Sequence, residues 1–348
     1  MNMTEKINQP SVDEWRRLYQ AATAFCKMAP WKWMQDDQIF GVKNPQSGEI
    51  GYCVVLGNIK EVFALLVYEG AEGYAGHLRM QSGEVHAGHH HLTEFQKAMI
   101  ASFENRGDLQ REDKAVIKAI GLELKGRKAF PLFRYYQPGF FPWHLTASQA
   151  LFLTIALEQA LDVLPRVRMN PALFPPEEEN RHLVRVAAVG KDGWDWHDEI
   201  LPAPAITEKD YSRLPVDEVG IERIRQKKPI GKKIWEIGYF YMPAPVCEKK
   251  GDKPYFPRAM MVVEQESGMI LNMQMEGHTD HPQAFRQHFM NLLETAALLP
   301  AGILVDHKEA AAIISPIAER LKISLRQVEE LPYFDEAYQA LTGEFLSQ

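Results

Sequence analysis

The chain has 348 residues, with 46 acidic against 39 basic side chains and a formal net charge of −7, which excludes a protein whose main work is neutralising nucleic-acid phosphates. Its composition, 46% hydrophobic and 24% charged, supplies apolar surface for packed cores and excludes a disordered or fibrous chain. One hydrophobic core stops growing at roughly 250–300 residues, so two domains are expected.

Cys26, Cys53 and Cys247 are an odd number, far apart and without a Cys-x-x-Cys pair, as suits buried thiols in a reducing compartment. The opening MNMTEKINQPSVDEW has no apolar run behind its charges, so a secretory signal is not expected. Nothing approaches the roughly 18 consecutive apolar residues of a membrane helix. The expectation is a cytoplasmic protein with no membrane partner and no nucleic-acid partner.

Ser11-Val12-Asp13-Glu14 has the pattern of a capping box, and Trp15, Leu18, Tyr19, Ala22, Phe25 and Cys26 then follow at helical spacing. Pro30 ends this helix by pushing Ala29 out of the α region. Three apolar runs, 38–42, 51–56 and 62–68, are separated by Asn44 to Gly48 and by Gly57-Asn58, and read as an antiparallel meander. Thr93-Glu94-Phe95-Gln96 reads as a second box opening a helix through Ala98, Met99 and Phe103; a shorter helix runs from Asp113 to Ile120 before Gly121. Thr146-Ala147-Ser148-Gln149 opens the longest helix, with Pro165 at its end.

The Pro-rich, acidic stretch 166–180 is then taken as a linker between an N-terminal domain, 1–165, and a C-terminal domain, 181–348. Strands are expected at Leu183 to Val189, Lys233 to Tyr241, Ala259 to Glu264 and Met269 to Met275, all four in one antiparallel sheet. The tail gives a helix from Pro282 to Leu298, a strand Gly302 to Asp306, a helix from about Lys308 to Lys322 broken by Pro316, and a strand Ser324 to Val328. The fold class is therefore α+β: a meander packed with helices, then a mixed α/β sheet ending strand, strand, helix, strand, helix, strand.

Four features bear on chemistry. His86, His89, His90 and His91 have the makings of a metal tract, but they lie in a polar connection without nearby Cys or Asp. His278 and His281, with Asp306 and His307 after a later strand, suit a divalent metal by residue type, whereas Asp280 before His281 and Pro282 reads as a helix cap. Glu264 and Asp306, on strands separated by a helix, resemble in element order the acids of ribonuclease-H-like nucleases, which makes a metal-dependent hydrolase or nuclease the alternative function. The fourth feature is the densest aromatic and arginine cluster: Trp31, Trp33, Asp37, Tyr52, Arg127, Arg134, Tyr136 and Trp143 offer flat rings and guanidiniums for a small anionic or planar ligand or for a protein partner. The same rings also suit a core. The dinucleotide, phosphate-loop, serine-hydrolase and zinc-protease motifs are absent from the sequence.

The segments Pro30-Trp31-Lys32-Trp33-Met34, Asp37, Phe40-Gly41-Val42, Gly51-Tyr52-Cys53 and Val67-Tyr68-Glu69-Gly70 resemble the opening of a bacterial two-domain family of unknown function, in which PWEWM..D..FGV leads to GYC and a VY.G..G turn. Gly126-Arg127, Phe130-Pro131, Phe133-Arg134 and Pro138-Gly139 to Trp143 are similar to its FRGR..WP.FR and PGY.PW segments, with Phe130 where the family often has tryptophan. Met261-Val262-Val263-Glu264 and Ser267 to Leu271 are similar to its LVVD..SG.IL hairpin, with glutamate where aspartate is common. The resemblance implies two domains and supplies no catalytic residue. The expected function is a binding or interaction module, centred on the eight residues above, with no cofactor or catalytic residue assigned. A homodimer through an open sheet edge is left open.

Overall fold

In the computed structural model, which describes residues 9–82, 95–191, 193–207, 211, 214–278 and 281–346, helix α1 (Val12–Met28) opens on the expected capping box. Ser11 Oγ accepts from the Glu14 amide at 3.2 Å, and the Glu14 carboxylate accepts from the Ser11 amide at 2.6 Å. Leu18, Tyr19, Ala22 and Phe25 are buried on one face. The helix ends before Pro30 as expected, with Ala29 outside the right-handed α region, in the left-handed one (φ 50°).

The chain divides into two units: Met1–Pro138 with Pro142–Ile206, and Gly139–Phe141 with Thr207–Gln348. In the first, β1 (Ile39–Lys43), β2 (Ile50–Leu56) and β3 (Ala64–Glu69) form the expected meander. It continues antiparallel through β4 (Ala98–Glu104) and β5 (Phe130–Tyr136). Strand β4 replaces the helix expected from Thr93. Ala98 to Phe103 are all buried, so the run lacks the polar alternation that marks a strand. Thr93 and Glu94 lie outside the described residues.

Helix α2 (Gly70–Gln81) was not foreseen, α3 (Arg111–Ile120) stops at left-handed Gly121 as expected, and α4 (Ala147–Met169) runs on past Pro165. The expected linker 166–180 lies inside this unit. It holds the last turn of α4 and short 3-10 turns at Pro171–Leu173 and Glu177–Glu179, a helix-to-strand connection whose prolines suit turns. Strand β6 (Arg181–Val189), assigned by its sequence to the second sheet, pairs parallel with β1, Phe40 opposite Leu183, and carries β7 (Trp194–Pro202) outside it. The order is β5-β4-β3-β2-β1-β6-β7.

Helices α1 and α4 cover one face of this sheet, burying Phe25, Phe40, Cys53, Leu65, Met99 and Leu157. Helix α2 covers the other, over Tyr52, Leu66, Tyr68 and Ile100. Its glycines explain both the fit and why the sequence hid it. Glycine weakens a helical signal, yet a Cβ on Gly73 would stand 2.5 Å from the Lys97 carbonyl oxygen, and one on Gly76 would run into that of Phe95.

In the second unit α5 (Glu218–Lys227) precedes β8 (Ile234–Tyr241), β9 (Arg258–Glu264) and β10 (Ile270–Glu276), which are antiparallel. Then follow α6 (His281–Thr295), β11 (Gly302–Val305), α7 (Lys308–Leu321), β12 (Ser324–Gln327) and an unforeseen α8 (Pro332–Leu346). Strand β11 is parallel to both β8 and β12, giving the order β10-β9-β8-β11-β12. The strand and helix order expected at the end of the chain is thus found, and Pro316 lies within α7 without dividing it. Helices α5, α6 and α7 cover one face and α8 the other.

Filling the α2 contact tests this packing. Gly76→Ala should cost about 1–3 kcal/mol in a urea unfolding curve; an unchanged midpoint would mean that α2 does not sit this close to the 95–97 backbone.

Candidate functional site

The eight residues singled out in the sequence do not come together. Trp31 packs among Phe25, Phe63 and Phe103, ring centroids 6.1, 5.1 and 5.6 Å away, in the core under α1 and α4. Trp33 lies at the edge of that core under the Arg168 guanidinium, 4.5 Å from its ring. Tyr52 and Tyr136 pack on the opposite, α2, face. Arg134 is only 8% exposed and grips Asp113 through two bonds of 2.9 and 2.8 Å, with a third to Gln110. Trp143 bridges its backbone to Tyr135, and Asp37 and Arg127 are exposed. Of these rings Tyr52 is buried, while Trp31, Trp33 and Tyr136 are partly buried against the cores, and Arg134 is held in place by its own ion pair.

Glu264 and Asp306 do not converge on one ion either. Glu264 stands opposite Trp235 on β8 and is held by Lys233 at 2.8 Å. Asp306 follows Val305, which is opposite Ile237 on the other side of β8. Two strand spacings and about three residues of strand separate them, roughly 10 Å in each direction, whereas ligands of one ion lie about 2.0–2.6 Å from it. Among the described residues no group of three His, Cys, Asp or Glu side chains is placed to hold a metal. The tract His86 to His91, and Asp280, lie outside the described residues.

A different set does come together, in the second unit. Strand order reverses between β8, whose chain goes on to β9, and β11, whose chain goes on to β12, and open α/β sheets bind ligands outside the carboxyl ends of strands at such a point. At the end of β8 lies Tyr239, 2% exposed and stacked on Phe285 at 4.8 Å. The adjacent start of β9 supplies Arg258, 6% exposed, its guanidinium 5.6 Å from the rings of both Tyr239 and Tyr241. Arg258 donates to Glu309 at 2.6 Å, and Glu309, in the first turn of α7, also accepts from the Tyr211 hydroxyl. Asp306 contacts the His307 ring at 2.5 Å beside it.

Tyr239 Oη and His281 Nδ1 are among the polar atoms buried here without a hydrogen-bond partner among the described residues. Burial, with Arg258 adding to it, pushes His281 down to about 4, so its imidazole is neutral near pH 7. Burial also raises Tyr239 well above the usual phenol range. Arg286, 3% exposed, donates to the carbonyls of Leu214, Ala312 and Ile313. The rim is aromatic: His278 lies 5.1 Å from Phe140 and 4.8 Å from Tyr255, and Lys253, pushed down to about 8 by burial, sits 4.5 Å over Phe140. Tyr239, Arg258, His281 and Glu309 are thereby gathered from β8, β9, α6 and α7. His278, His281 and Asp306 drew notice in the sequence as metal ligands or caps; Tyr239, Arg258 and Glu309 carried no local signal, because only the sheet brings them together.

In the first unit, His77 on α2 packs at a tilt against Tyr68, ring centroids 4.7 Å apart, 5% exposed, with Nε2 unpartnered among the described residues. Nearby, His182 Nε2 lies 2.9 Å from the Tyr74 hydroxyl.

Residues 15–185 match the family model of one domain of unknown function, DUF7309, and residues 220–342 match that of another, DUF6930. No curated protein matches the chain.

Burial pushes His77 down to about 4, partly countered by Asp36, while in the unfolded chain it titrates near its ordinary value of about 6.5. The unfolded state therefore takes up a proton that the folded state refuses. Stability should fall as pH drops from about 6.5 toward 4, by up to about 1.4 kcal/mol per pH unit for this group. Denaturant titrations should show a shallower loss in His77→Phe; equal slopes would mean that His77 is not held neutral.

Proposed function

We propose that this chain, which joins two domains of unknown function, is a ligand-binding protein whose binding centre is the polar cluster at the carboxyl ends of β8 and β11. The observation that carries this reading is Tyr239 Oη, buried without a partner among the described residues beside Arg258 at the point where strand order reverses. An unmade buried hydrogen bond costs about 1–3 kcal/mol, and such groups are rare enough in folded proteins to need a reason.

The chemistry of the lining selects the ligand class. Arg258 and Arg286 place two guanidiniums near Tyr239, with the carboxylate of Glu309 held against the first. The amino end of α7 adds its dipole in the same sense. This surrounding favours a small anion, a carboxylate or phosphate, that accepts from Tyr239. Neutral His281 supplies a second hydrogen-bonding position, and the Phe140, Tyr255 and His278 rings suit a flat group attached to that anion. Binding without chemistry is the reading these residues support: Glu309 is engaged by Arg258 and Tyr211, and Glu276 by His288.

Thermal-shift and calorimetric screening of the full chain against phosphate, nucleotides and aromatic carboxylates tests it. At a hundredfold excess over Kd a true ligand adds about 2.7 kcal/mol to stability. Tyr239→Phe should keep the fold and weaken that ligand roughly five- to thirtyfold, the worth of one buried hydrogen bond. A ligand that binds Tyr239→Phe and His281→Gln as tightly as the parent, or no response across the panel, would sink the proposal.

A further inference from the structure

Both sheets end in strands whose outer backbone groups need protection, because an open edge is a template for pairing with another chain. In the seven-stranded sheet β5 carries Pro131 and is bridged by Trp143, and β7 carries Asp195, Asp198 and Glu199. In the five-stranded sheet β12 is only four residues long and includes Arg326. Strand β10 differs from all three. It spans seven residues, Ile270–Glu276, without proline, lysine or arginine, and its one charge, Glu276, is its last residue and is held by His288 at 2.5 Å.

Apolar side chains stand in solvent along this edge: Met269 is 56%, Ile270 41% and Met275 56% exposed. Its one irregularity, a register shift between Ile270 and Asn272, is confined to the start, and Asn272 to Glu276 stay in regular register with Val262 to Arg258. Among the described residues no backbone group pairs with the outer side of β10.

We infer that β10 is a homodimer edge, on which a second copy of this chain pairs its own β10 antiparallel about a two-fold axis at Gln274. The sequence of the strand commits the occupant. That register sets Asn272 opposite Glu276, Met273 opposite Met275 and Gln274 opposite itself. No like charges then face one another, and the two faces sort themselves. Asn272, Gln274 and Glu276 from both copies form one polar row on the α6 side, where Glu276 meets His288, and Met273 and Met275 form an apolar row on the α8 side, where Met273 already packs. Asn272 Oδ1, buried without a partner among the described residues, belongs to the polar row. Such an interface is isologous and closes on itself as a dimer, joining two five-stranded sheets.

Light scattering of the full chain across a dilution series, with crosslinking, tests the inference. A concentration-dependent dimer is expected. Met275→Lys, at an exposed position, should raise its dissociation constant about tenfold or more, while Val189→Lys, on the exposed end of β6, should leave it unchanged. Gln274→Cys, in a Cys247→Ser background that removes the exposed native thiol, should give a disulfide-linked dimer under oxidised glutathione, since directly opposed residues lie within disulfide reach. A monomer at every concentration, a dimer indifferent to Met275→Lys, or failure of Gln274→Cys to crosslink would overturn it. These readouts do not involve Tyr239 or Arg258, so the dimer and the ligand centre stand or fall separately.

Discussion

Removing a charge from water costs several kcal/mol unless its hydrogen-bonding capacity is met inside the protein, and this constraint organises both units. In the first, Arg134 is matched by Asp113 and Gln110, which ties α3 to the edge strand β5. Arg185 on β6 is matched by Gln159 of α4 and Asp198 of β7, locking the late strands to the long helix. In the second unit Glu236, fully buried on β8, accepts from the Phe334 amide at 2.8 Å and so fixes where α8 begins. Breaking one of these pairs by removing a single partner would leave the other charge buried alone, a loss of about 3–5 kcal/mol.

Against that background the cluster around Tyr239 is one of the exceptions. Arg258 pairs with Glu309, and Arg286 spends its donors on backbone carbonyls. Tyr239 Oη and His281 Nδ1 are left without a partner among the described residues, although they sit where sheet topology places binding sites in open α/β folds. Depressed histidine basicity beside a guanidinium fits an environment arranged for negative charge from outside. No helix among the described residues is long and apolar enough to cross a membrane.

What could be read from the sequence was what is local. The amphipathic α1, its cap and the first three strands follow from spacing within a few residues. Strand β4 was hidden because both its faces are buried, and α2 because Gly70, Gly73 and Gly76 lower helical propensity for the sake of close packing. Strand β7, with Trp194, Asp195, Trp196 and His197, is too exposed to show an apolar period. The β1–β6 pairing spans some 140 residues of chain, and no turn signal marks it. The ligand centre was unreadable for the same reason: Tyr239, Arg258, His281 and Glu309 are scattered along 70 residues and meet only through the register of β8, β9 and β11. Aromatic density around Trp31 and Arg134 pointed elsewhere, because rings concentrate in cores as readily as in sites.

The most direct test of the ligand centre is a high-resolution crystal structure of the full chain purified without added ligand, or soaked with the strongest hit of a binding screen. The account predicts non-protein density within hydrogen-bond distance of Tyr239 Oη and His281 Nδ1, against the Arg258 side of the cluster. A tightly closed cluster with no such density, in which Tyr239 and His281 are satisfied by protein groups alone, would contradict it.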